Sequence, residues 1–341
     1  MDKKLDLSIL QNVQNVQNIQ NNQNVQNIEN IENKENNNNN KEFYFMNIIS
    51  QLDNSSKSFL IVCEWNSKFI KEPILPNIFY NIFNAPPQMF PYPNSKQICF
   101  LNTLYITGGR INNSNTNQTF NLKYDFATKK ITIKRFTSMC LNRELHTMVY
   151  VPKKNFLVAC GGASLKSCEY YNFIENKWIL LPDLNNLRAN ATCCLINDYI
   201  IYIIGGYNHE KQIFEKGYEY LDLNKDKKDM SWNYILMFEE LSLCAMGAIV
   251  NNKKNELILL GGFNGKKTYL NTSKKLIIEN GLISKIENQE NVVITKGVIF
   301  FNSQEFTQRN NNIFINFDFR GGFHEYNIEE NKWLYIPPEN N

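Results

Sequence analysis

The sequence has little net charge, few histidines and no long apolar run. Its 36 Lys and Arg residues almost balance 33 Asp and Glu residues, which leaves a formal charge of +3 at pH 7. Nucleic acids and anionic membrane surfaces generally bind a clustered basic face, and no such cluster is visible along the chain. The longest apolar runs, such as residues 199–204, are strand-sized and fall far short of a membrane span of about 20 residues. We therefore predict no nucleic-acid partner and no membrane-spanning helix.

Linear motifs of catalysis and metal binding are also missing. The sequence contains no Gly-x-Ser-x-Gly, no phosphate-binding Gly-rich loop before a helix and no His-Glu-x-x-His. The three histidines, His146, His209 and His324, lie in separate segments and form no evident dyad. No Cys-x-x-Cys occurs, and the adjacent Cys193 and Cys194 would point to opposite faces of a strand. We predict no catalytic residue, no metal site and no cofactor.

Nothing in the sequence indicates an oxidising compartment. The N-terminal stretch MDKKLDLSILQNVQ has an apolar segment too short for a secretory signal, so we expect a cytoplasmic protein. Its eight cysteines should then be reduced thiols. Most lie in or beside apolar runs, where free cysteine behaves as a small hydrophobic residue: Cys99, Cys160, Cys193, Cys194 and Cys244.

What the sequence does contain is a repeated unit, most complete between Arg143 and Pro182. Turn-rich punctuation at 152–155, 161–162 and 175–177 separates four short apolar runs. This pattern predicts a four-stranded antiparallel meander. The runs are His146–Val151, Phe156–Cys160, Cys168–Phe173 and Trp178–Leu181.

Gly-Gly pairs that follow an apolar run mark further copies of this unit. They occur at 108–109, 161–162, 205–206, 261–262 and 321–322, at intervals of 53, 44, 56 and 60 residues. Periods of this size are typical of a propeller or a repeat array and not of one large sheet.

A tyrosine followed seven residues later by a tryptophan recurs in the second half of the unit. EYYNFIENKW ends at Trp178 and HEYNIEENKW ends at Trp333, with the tyrosines at Tyr171 and Tyr326. Two stretches this alike indicate an internal repeat. Weaker copies run from Tyr124 to Ile131, from Leu276 to Ile283 around the hairpin dipeptide Asn280-Gly281, and, with a longer insert, from Tyr220 to Trp232.

Together these features resemble the kelch-repeat family, whose unit has an apolar strand ending in Gly-Gly, a Tyr-rich strand and a Trp about seven residues on. The resemblance covers roughly residues 96–337. The first glycine would allow a positive φ, and the second would let the neighbouring blade approach without a Cβ in the way. We assign these residues to a propeller core and not to a site: Gly108, Gly109, Gly161, Gly162, Gly205, Gly206, Gly261, Gly262, Tyr171, Trp178, Trp232, Tyr326 and Trp333.

The resemblance implies an all-β fold, a kelch-type β-propeller of four-stranded blades over residues 42–341. Five recognisable units and the apolar segment before them predict six blades of about 50 residues, with five blades as the alternative. The first blade has no Gly-Gly pair, and in the last the second strand becomes Ile313–Phe319. The expected blades are 42–95, 96–137, 138–183, 184–240, 241–290 and 291–341.

Residues 1–41 form a separate low-complexity tail. Within 11–40 a triplet of Gln or Glu, Asn and an apolar residue repeats and then decays into polyasparagine. A period of three drifts around a helix of 3.6 residues per turn and gives no fixed apolar face. We predict a disordered tail capable of self-association, with a short coiled coil from Leu5 to Ile31 as the alternative.

Candidate partner-binding residues lie on the loops between second and third strands and on the connections between blades. In kelch propellers both loop sets emerge on one face, and the resemblance implies the same binding face here. Arg143 and Arg188 begin the first strands of their blades, where each guanidinium could bind a partner's carboxylate or make a structural hydrogen bond to a neighbouring loop. The candidates are Arg110, Arg143, Arg188, Tyr207, His209 and Phe263.

Two functions agree with this pattern. The first is a non-enzymatic interaction module or scaffold that binds another protein through its loop face. The alternative is a propeller enzyme that acts on a sugar or small metabolite at the mouth of the central channel, because such sites need leave no linear motif. The loops are rich in Asn, Lys and Thr and do not gather acids, His and Arg, which favours the interaction module.

Overall fold

The computed structural model of the chain describes residues 92–289, apart from 126, 237–240, 266–269 and 271. Outside this range it describes only the backbone of six strands, between 44 and 73 and between 312 and 336. The predicted tail, 1–41, lies outside the described residues. Helix in the described part is limited to one 3₁₀ turn, Pro152–Lys154, and no helix there is long and apolar enough to cross a membrane. The prediction of an all-β chain is confirmed.

The described strands form six antiparallel sheets, which we number in chain order, and two short hairpins. The first sheet is β1 (Tyr44–Ser50), β2 (Ser58–Glu64) and β3 (Phe69–Pro73). The second is β4 (Lys96–Phe100), β5 (Thr103–Thr107), β8 (Thr119–Asp125) and β9 (Lys130–Arg135), with the hairpin β6 (Arg110–Ile111) and β7 (Ser114–Asn115) in its loop. The third is β10 (Thr147–Val151), β11 (Phe156–Cys160), β12 (Cys168–Asn172) and β13 (Lys177–Leu181).

The remaining sheets repeat this order. The fourth is β14 (Thr192–Ile196), β15 (Ile200–Ile204), β18 (Gly217–Asp222) and β19 (Asn233–Leu236), with the hairpin β16 (Tyr207–Asn208) and β17 (Ile213–Phe214) in its loop. The fifth is β20 (Gly247–Asn251), β21 (Glu256–Leu260), β22 (Ser273–Glu279) and β23 (Leu282–Gln289). The sixth is β24 (Asn312–Phe317), β25 (Phe323–Asn327) and β26 (Lys332–Ile336), so the strand predicted over Ile313–Phe319 is β24.

Asparagines in the left-handed conformation close many of the turns. Asn155, Asn176 and Asn255 each have φ between 52° and 53° in the tight turns of the third and fifth sheets. Asn tolerates this conformation better than other side chains except Gly. Consecutive strands can therefore pair directly, and each four-stranded sheet is a meander.

The meander fixes two faces. In each four-stranded sheet the connection to the first strand and the loop between the second and third strands lie at the same end, which we call the loop face. The other turns, such as 152–155 and 173–176, lie at the opposite end, which we call the turn face. The first strands β1, β4, β10, β14 and β20 are neighbours in series, an arrangement consistent with the blades of a β-propeller.

Apolar clusters fill the spaces between neighbouring sheets. One cluster lies between the second and third sheets, around Phe100, Tyr150 and Trp178. Further clusters join the third sheet to the fourth and the fourth to the fifth. Cys193 belongs to one cluster and Cys194 to the other, which confirms that these adjacent residues point to opposite faces of their strand. The sheets therefore stack face to face, as blades do.

The Gly-Gly pairs lie at the seams between sheets, and the first glycine, not the second as predicted, lies against the next sheet. A Cβ on Gly161 would lie 2.7 Å from the carbonyl oxygen of Arg188, which precedes the first strand of the next sheet. A Cβ on Gly162 would instead meet Glu144 of its own sheet, also at 2.7 Å. The first glycine is thus the one that lets the next sheet approach. Both have positive φ, at +64° and +131°.

Backbone hydrogen bonds reinforce the seams. The amide of the second glycine donates to the next sheet in three places, Gly109 to Arg143, Gly162 to Arg188 and Gly206 to Leu243, at 2.7–3.1 Å. A second series runs through left-handed residues just before the first strands. In this series each backbone amide donates to the carbonyl oxygen of the equivalent residue in the preceding sheet, at 2.7–2.9 Å. The bonds run from Leu145 to Asn94, from Asn190 to Leu145 and from Ala245 to Asn190. These bonds hold the loop-face ends of the second to fifth sheets together.

The Tyr-to-Trp spacing corresponds to direct cross-strand pairs in the best copies. Tyr171 lies opposite Trp178, and the same spacing pairs Tyr326 with Trp333 and Tyr124 with Ile131. The weaker copy from Leu276 to Ile283 is not a direct cross-strand pair. The Asn280-Gly281 turn does form, but a register shift between Ile277 and Ile278 places Leu276 opposite Ile286. In the fourth sheet Tyr220 lies opposite Asn233, one residue beyond Trp232.

Candidate functional site

Four of the candidate binding residues lie on the loop face, where loops start directly after a Gly-Gly pair. Arg110 begins β6, Tyr207 begins β16, and Phe263 forms a β-bridge with Cys244. His209 lies in the turn of the hairpin that Tyr207 begins. Each loop is therefore anchored at its base by backbone hydrogen bonds, and the tips of the loops that Arg110 and Tyr207 begin face solvent.

Aromatic rings from two neighbouring sheets meet at this face. The ring centroid of Tyr207 lies 4.9 Å from that of His209 and 5.0 Å from that of Phe214, across the hairpin. Phe214 in turn lies 6.1 Å from Phe263 of the fifth sheet. Ile213 precedes Phe214 in β17, lies opposite Asn208 and has 43% of its surface exposed. We call Tyr207, His209, Phe214 and Phe263 the aromatic cluster.

Buried polar contacts hold the hairpin that carries the aromatic cluster. The side chain of Asn208 donates to Glu215 at 2.9 Å and accepts from the amides of Glu210 and Lys211 at 3.2 and 3.1 Å. The hydroxyl of Ser242, from the connection to the fifth sheet, donates to the carbonyl oxygen of Phe214 at 2.9 Å. The cluster is therefore fixed from both sheets.

Arg110 joins the second sheet to the third and remains partly exposed. Its guanidinium lies 3.2 Å from the carboxylate of Glu144, with side-chain exposures of 47% and 6%. The amide of Asn94 donates to the other oxygen of Glu144 at 2.8 Å. Arg110 thus lies across a seam and still presents part of its guanidinium to solvent.

Arg143 is buried and makes internal bonds, the structural alternative of the two predicted for it. Its Nε lies 2.8 Å from Glu169, with both side chains fully buried. Its other nitrogens donate to the carbonyl oxygens of Gly161 and Ser167 and to the Ser167 hydroxyl, at 2.6–3.0 Å. Glu169 also accepts from the amide of Cys140 at 2.6 Å, so this ion pair fixes the connection from the second sheet.

Arg188 repeats this arrangement in the fourth sheet. Its Nε lies 2.8 Å from Glu219, again with both side chains fully buried, and Glu219 accepts from the amides of Asn185 and Asn186. One guanidinium nitrogen of Arg188 has no hydrogen-bond partner. The ring of Tyr234 lies 5.9 Å from the guanidinium carbon and provides a cation–π contact instead. A partner-facing role for Arg143 and Arg188 therefore has no geometric support.

The second sheet has aromatic residues at the positions of this ion pair. Tyr92 and Phe120 occupy the positions of Arg143 and Glu169, and their rings pack edge to face at 5.9 Å. The guanidinium of Arg135 lies 5.6 Å from the Phe120 ring, so a cation also contacts this aromatic pair.

Sequence reasoning missed several of these residues. Glu169 and Glu219 carried a signal, since each is an acid inside an otherwise apolar strand run and follows a repeated arginine. Phe214 carried none, because its contact with Tyr207 depends on the hairpin register. Among the described residues no group of three or more His, Cys, Asp or Glu is placed to hold a metal ion.

Comparison with known proteins gives a limited match. No family model matches the chain. The chain is similar to "Kelch repeat protein M-T9" of Myxoma virus (strain Lausanne), with 30% identity over 84 residues. The match covers 23% of this chain and 14% of the viral protein. Together with the all-β sheets, it supports a kelch-like, β-rich fold.

Proposed function

We propose that this chain is a cytoplasmic, non-enzymatic interaction module, built as a six-bladed kelch-type propeller, that binds a segment of another protein through its loop face. The observation that carries the proposal is the aromatic cluster. Monomeric surfaces usually keep large apolar side chains apart, and contiguous exposed ones mark interaction sites. The similarity to a kelch repeat protein supports a module of this kind.

The geometry of the aromatic cluster favours an extended or looped segment with one apolar anchor side chain. Tyr207, Phe214 and Phe263 present rings at angles of 58–70° to one another, which leaves edges and faces for an inserted side chain. Aromatic residues are also the commonest centres of binding energy at protein interfaces. The exposed Lys211 lies at the rim, 3.4 Å from Asn186.

A pair of exposed isoleucines provides the test. Ile213→Asp places a charge on the exposed strand of the hairpin, next to Phe214 of the aromatic cluster, whereas Ile174→Asp places the same charge on the turn face, where Ile174 is 59% exposed. Tagged wild-type chain and both variants are used to capture proteins from lysate, and each captured protein is measured by quantitative mass spectrometry. Melting midpoints of all three should agree within about 1 °C, because both positions are exposed.

The expected result is a defined set of proteins that falls at least about tenfold with Ile213→Asp and is unchanged with Ile174→Asp. Direct binding of the strongest member to the purified chains should show the same difference. Equal recovery with wild type and Ile213→Asp would overturn the proposal. Equal loss in both variants would do so too, because the binding would not then depend on the loop face.

A further inference from the structure

A second site, independent of the aromatic cluster, lies between the first strands of the sheets. A small cavity of about 20 Å³, open to solvent, is lined by residues of β4, β10, β14 and β20 or just before them. Lys96, Thr147, Thr192 and Gly247 occupy one equivalent position, the first residue of the first strand, and Cys193 lies beside them. This cavity therefore lies near the loop-face ends of the strands.

Lys96 is the charged residue that lines this cavity. It is half-buried, and none of the described carboxylates forms an ion pair with it. The neighbouring strand β1, with sequence YFMNIIS, contains no carboxylate. Withdrawal from water lowers the pKa of Lys96. An ammonium group in this setting is costly unless an anion accompanies it.

The other titratable groups near Lys96 do not supply that anion. Burial raises the pKa of the Cys193 thiol well above its usual value, so this group is neutral. Burial, followed by the charges of Arg143 and Lys96, holds the pKa of His146 well below its usual value, so the imidazole is neutral as well. The charge of Arg143 is already matched by Glu169. Among the described residues, the cavity thus carries one positive charge with no carboxylate beside it.

Hydroxyl groups complete the lining. Thr192 donates its proton to the carbonyl oxygen of Met246 at 2.8 Å, so this hydroxyl is already committed. The hydroxyl of Thr147 makes a side-chain hydrogen bond with Cys193, a weak acceptor, and can turn to a better one. The cavity therefore offers one ammonium and one adjacent hydroxyl donor.

We propose that this cavity binds a small anion with a single negative charge, held by the Lys96 ammonium and the Thr147 hydroxyl. One positive charge balances one negative charge, so a dianion would leave an excess buried charge. The anion can be inorganic, such as chloride, or a small carboxylate, such as formate. The size of the cavity excludes a bulky monoanion such as gluconate.

Thermal melting of the full chain tests the proposal. Wild type, Lys96→Met and the control Lys123→Met, which removes an exposed lysine of β8, are melted in sodium gluconate, chloride or formate at equal ionic strength. An anion that binds only the folded chain raises its midpoint, by roughly 3 °C at about ten times its Kd. General salt effects act on all three proteins alike.

We expect chloride or formate to raise the midpoints of wild type and Lys123→Met above those in gluconate and to leave that of Lys96→Met unchanged. If the midpoint rises with only one of the two anions, that result identifies which of them the cavity binds. Because protonated Lys96 holds the anion, the rise should disappear as pH increases through the lowered pKa of Lys96. The same anion dependence in Lys96→Met, or none in wild type, would overturn the proposal.

A measurement on the unmodified chain covers the case in which Lys96→Met does not fold. Chloride that exchanges with a protein site broadens its ³⁵Cl nuclear magnetic resonance line. We expect broadening by the wild-type chain that formate reduces and gluconate at the same concentration does not. Absence of broadening together with absence of a formate-dependent midpoint would contradict the site.

Discussion

The second glycine of each described Gly-Gly pair lies close to the backbone of its own sheet, which limits side-chain size there. At Gly162 a Cβ would lie 2.7 Å from the carbonyl oxygen of Glu144, with φ at +131°. A β-branched side chain is poorly tolerated at this φ, and the backbone it meets has little freedom to move. We expect Gly162→Val to lower the free energy of unfolding by more than about 3 kcal/mol, measured by thermal or urea denaturation.

Gly281 provides the matched control, because it has a positive φ without the close approach. Its φ is +74°, and a Cβ there would meet Ile200 at 3.6 Å, an ordinary contact. Gly281→Ala should therefore lower the free energy of unfolding only by the strain of a left-handed backbone, about 1 kcal/mol. If both substitutions lower the free energy of unfolding equally, backbone strain, and not the close contact with Glu144, requires a glycine at position 162.

The buried pair of Arg143 and Glu169 should behave as a unit. Arg143→Ala leaves the Glu169 carboxylate buried without its cation, and we expect a loss of about 3–5 kcal/mol. The double variant Arg143→Met/Glu169→Leu leaves no unpaired charge and should be less destabilised than the single one, as the uncharged Tyr92–Phe120 pair in the second sheet suggests. Urea denaturation of both variants measures the difference.

Arg110 serves as the control for this prediction, since it is an ion-paired arginine that is 47% exposed. Arg110→Ala should cost no more than about 1 kcal/mol, because exposed ion pairs contribute little. A double variant less stable than Arg143→Ala would contradict the prediction. The loss of the hydrogen bonds from backbone amides to Glu169 would then be more destabilising than a buried carboxylate without its cation.

At the scale of elements, the hairpin of β16 and β17 depends on the buried side chain of Asn208. Its oxygen accepts from the amides of Glu210 and Lys211, and its nitrogen donates to Glu215. Asn208→Ala removes these bonds and leaves a buried carboxylate with fewer donors. We expect amide hydrogen exchange at 210 and 211 to accelerate roughly tenfold, while exchange in β14 and β15 changes little.

Asn172 makes the same contacts on the turn face and provides a control for the hairpin. It accepts from the amides of Ile174 and Glu175 and donates to Glu175 at 2.7 Å. Asn172→Ala should accelerate exchange at 174 and 175 and leave 210 and 211 unchanged. Faster exchange across the whole chain in Asn208→Ala would show that the hairpin is not a separate local unit.

The sequence pattern predicted the positions of the strands better than their pairing register or their side-chain contacts. Gly-Gly pairs and turn residues located the strands of the third sheet within about one or two residues. The spacing from Leu276 to Ile283 does not mark a cross-strand pair, because the Asn280-Gly281 turn and the register shift after Ile277 place Leu276 opposite Ile286. The loop positions of Tyr207, His209 and Phe263 and a structural role for Arg143 could be predicted. The partner of Arg143 could not, since Glu169 comes from a strand 26 residues on.

At the scale of the whole molecule, the described sheets share their cores. The side chains of the third and fourth sheets pack in one cluster, and those of the fourth and fifth in the next. Polar links cross the same interfaces, since the hydroxyl of Tyr218 accepts from the amide of Ile283 at 3.1 Å. A sheet that unfolds would expose one face of its neighbour, so the second to fifth sheets should unfold together.

A single core substitution in the fifth sheet tests this cooperativity. Leu276 is fully buried between the fourth and fifth sheets, and Leu276→Ala should cost about 3 kcal/mol. If unfolding is cooperative, the slowest amides of β10, in the third sheet, should exchange faster by roughly the same hundredfold factor as those of β20, because both open only through global unfolding. Leu282→Ala, on the exposed side of the same hairpin, should leave amide exchange in β10 and β20 unchanged, since Leu282 is 39% exposed. Hydrogen exchange measured strand by strand separates the possibilities. Acceleration confined to β20–β23 would mean that the fifth sheet opens alone, and the shared clusters would then join the sheets without making them one folding unit.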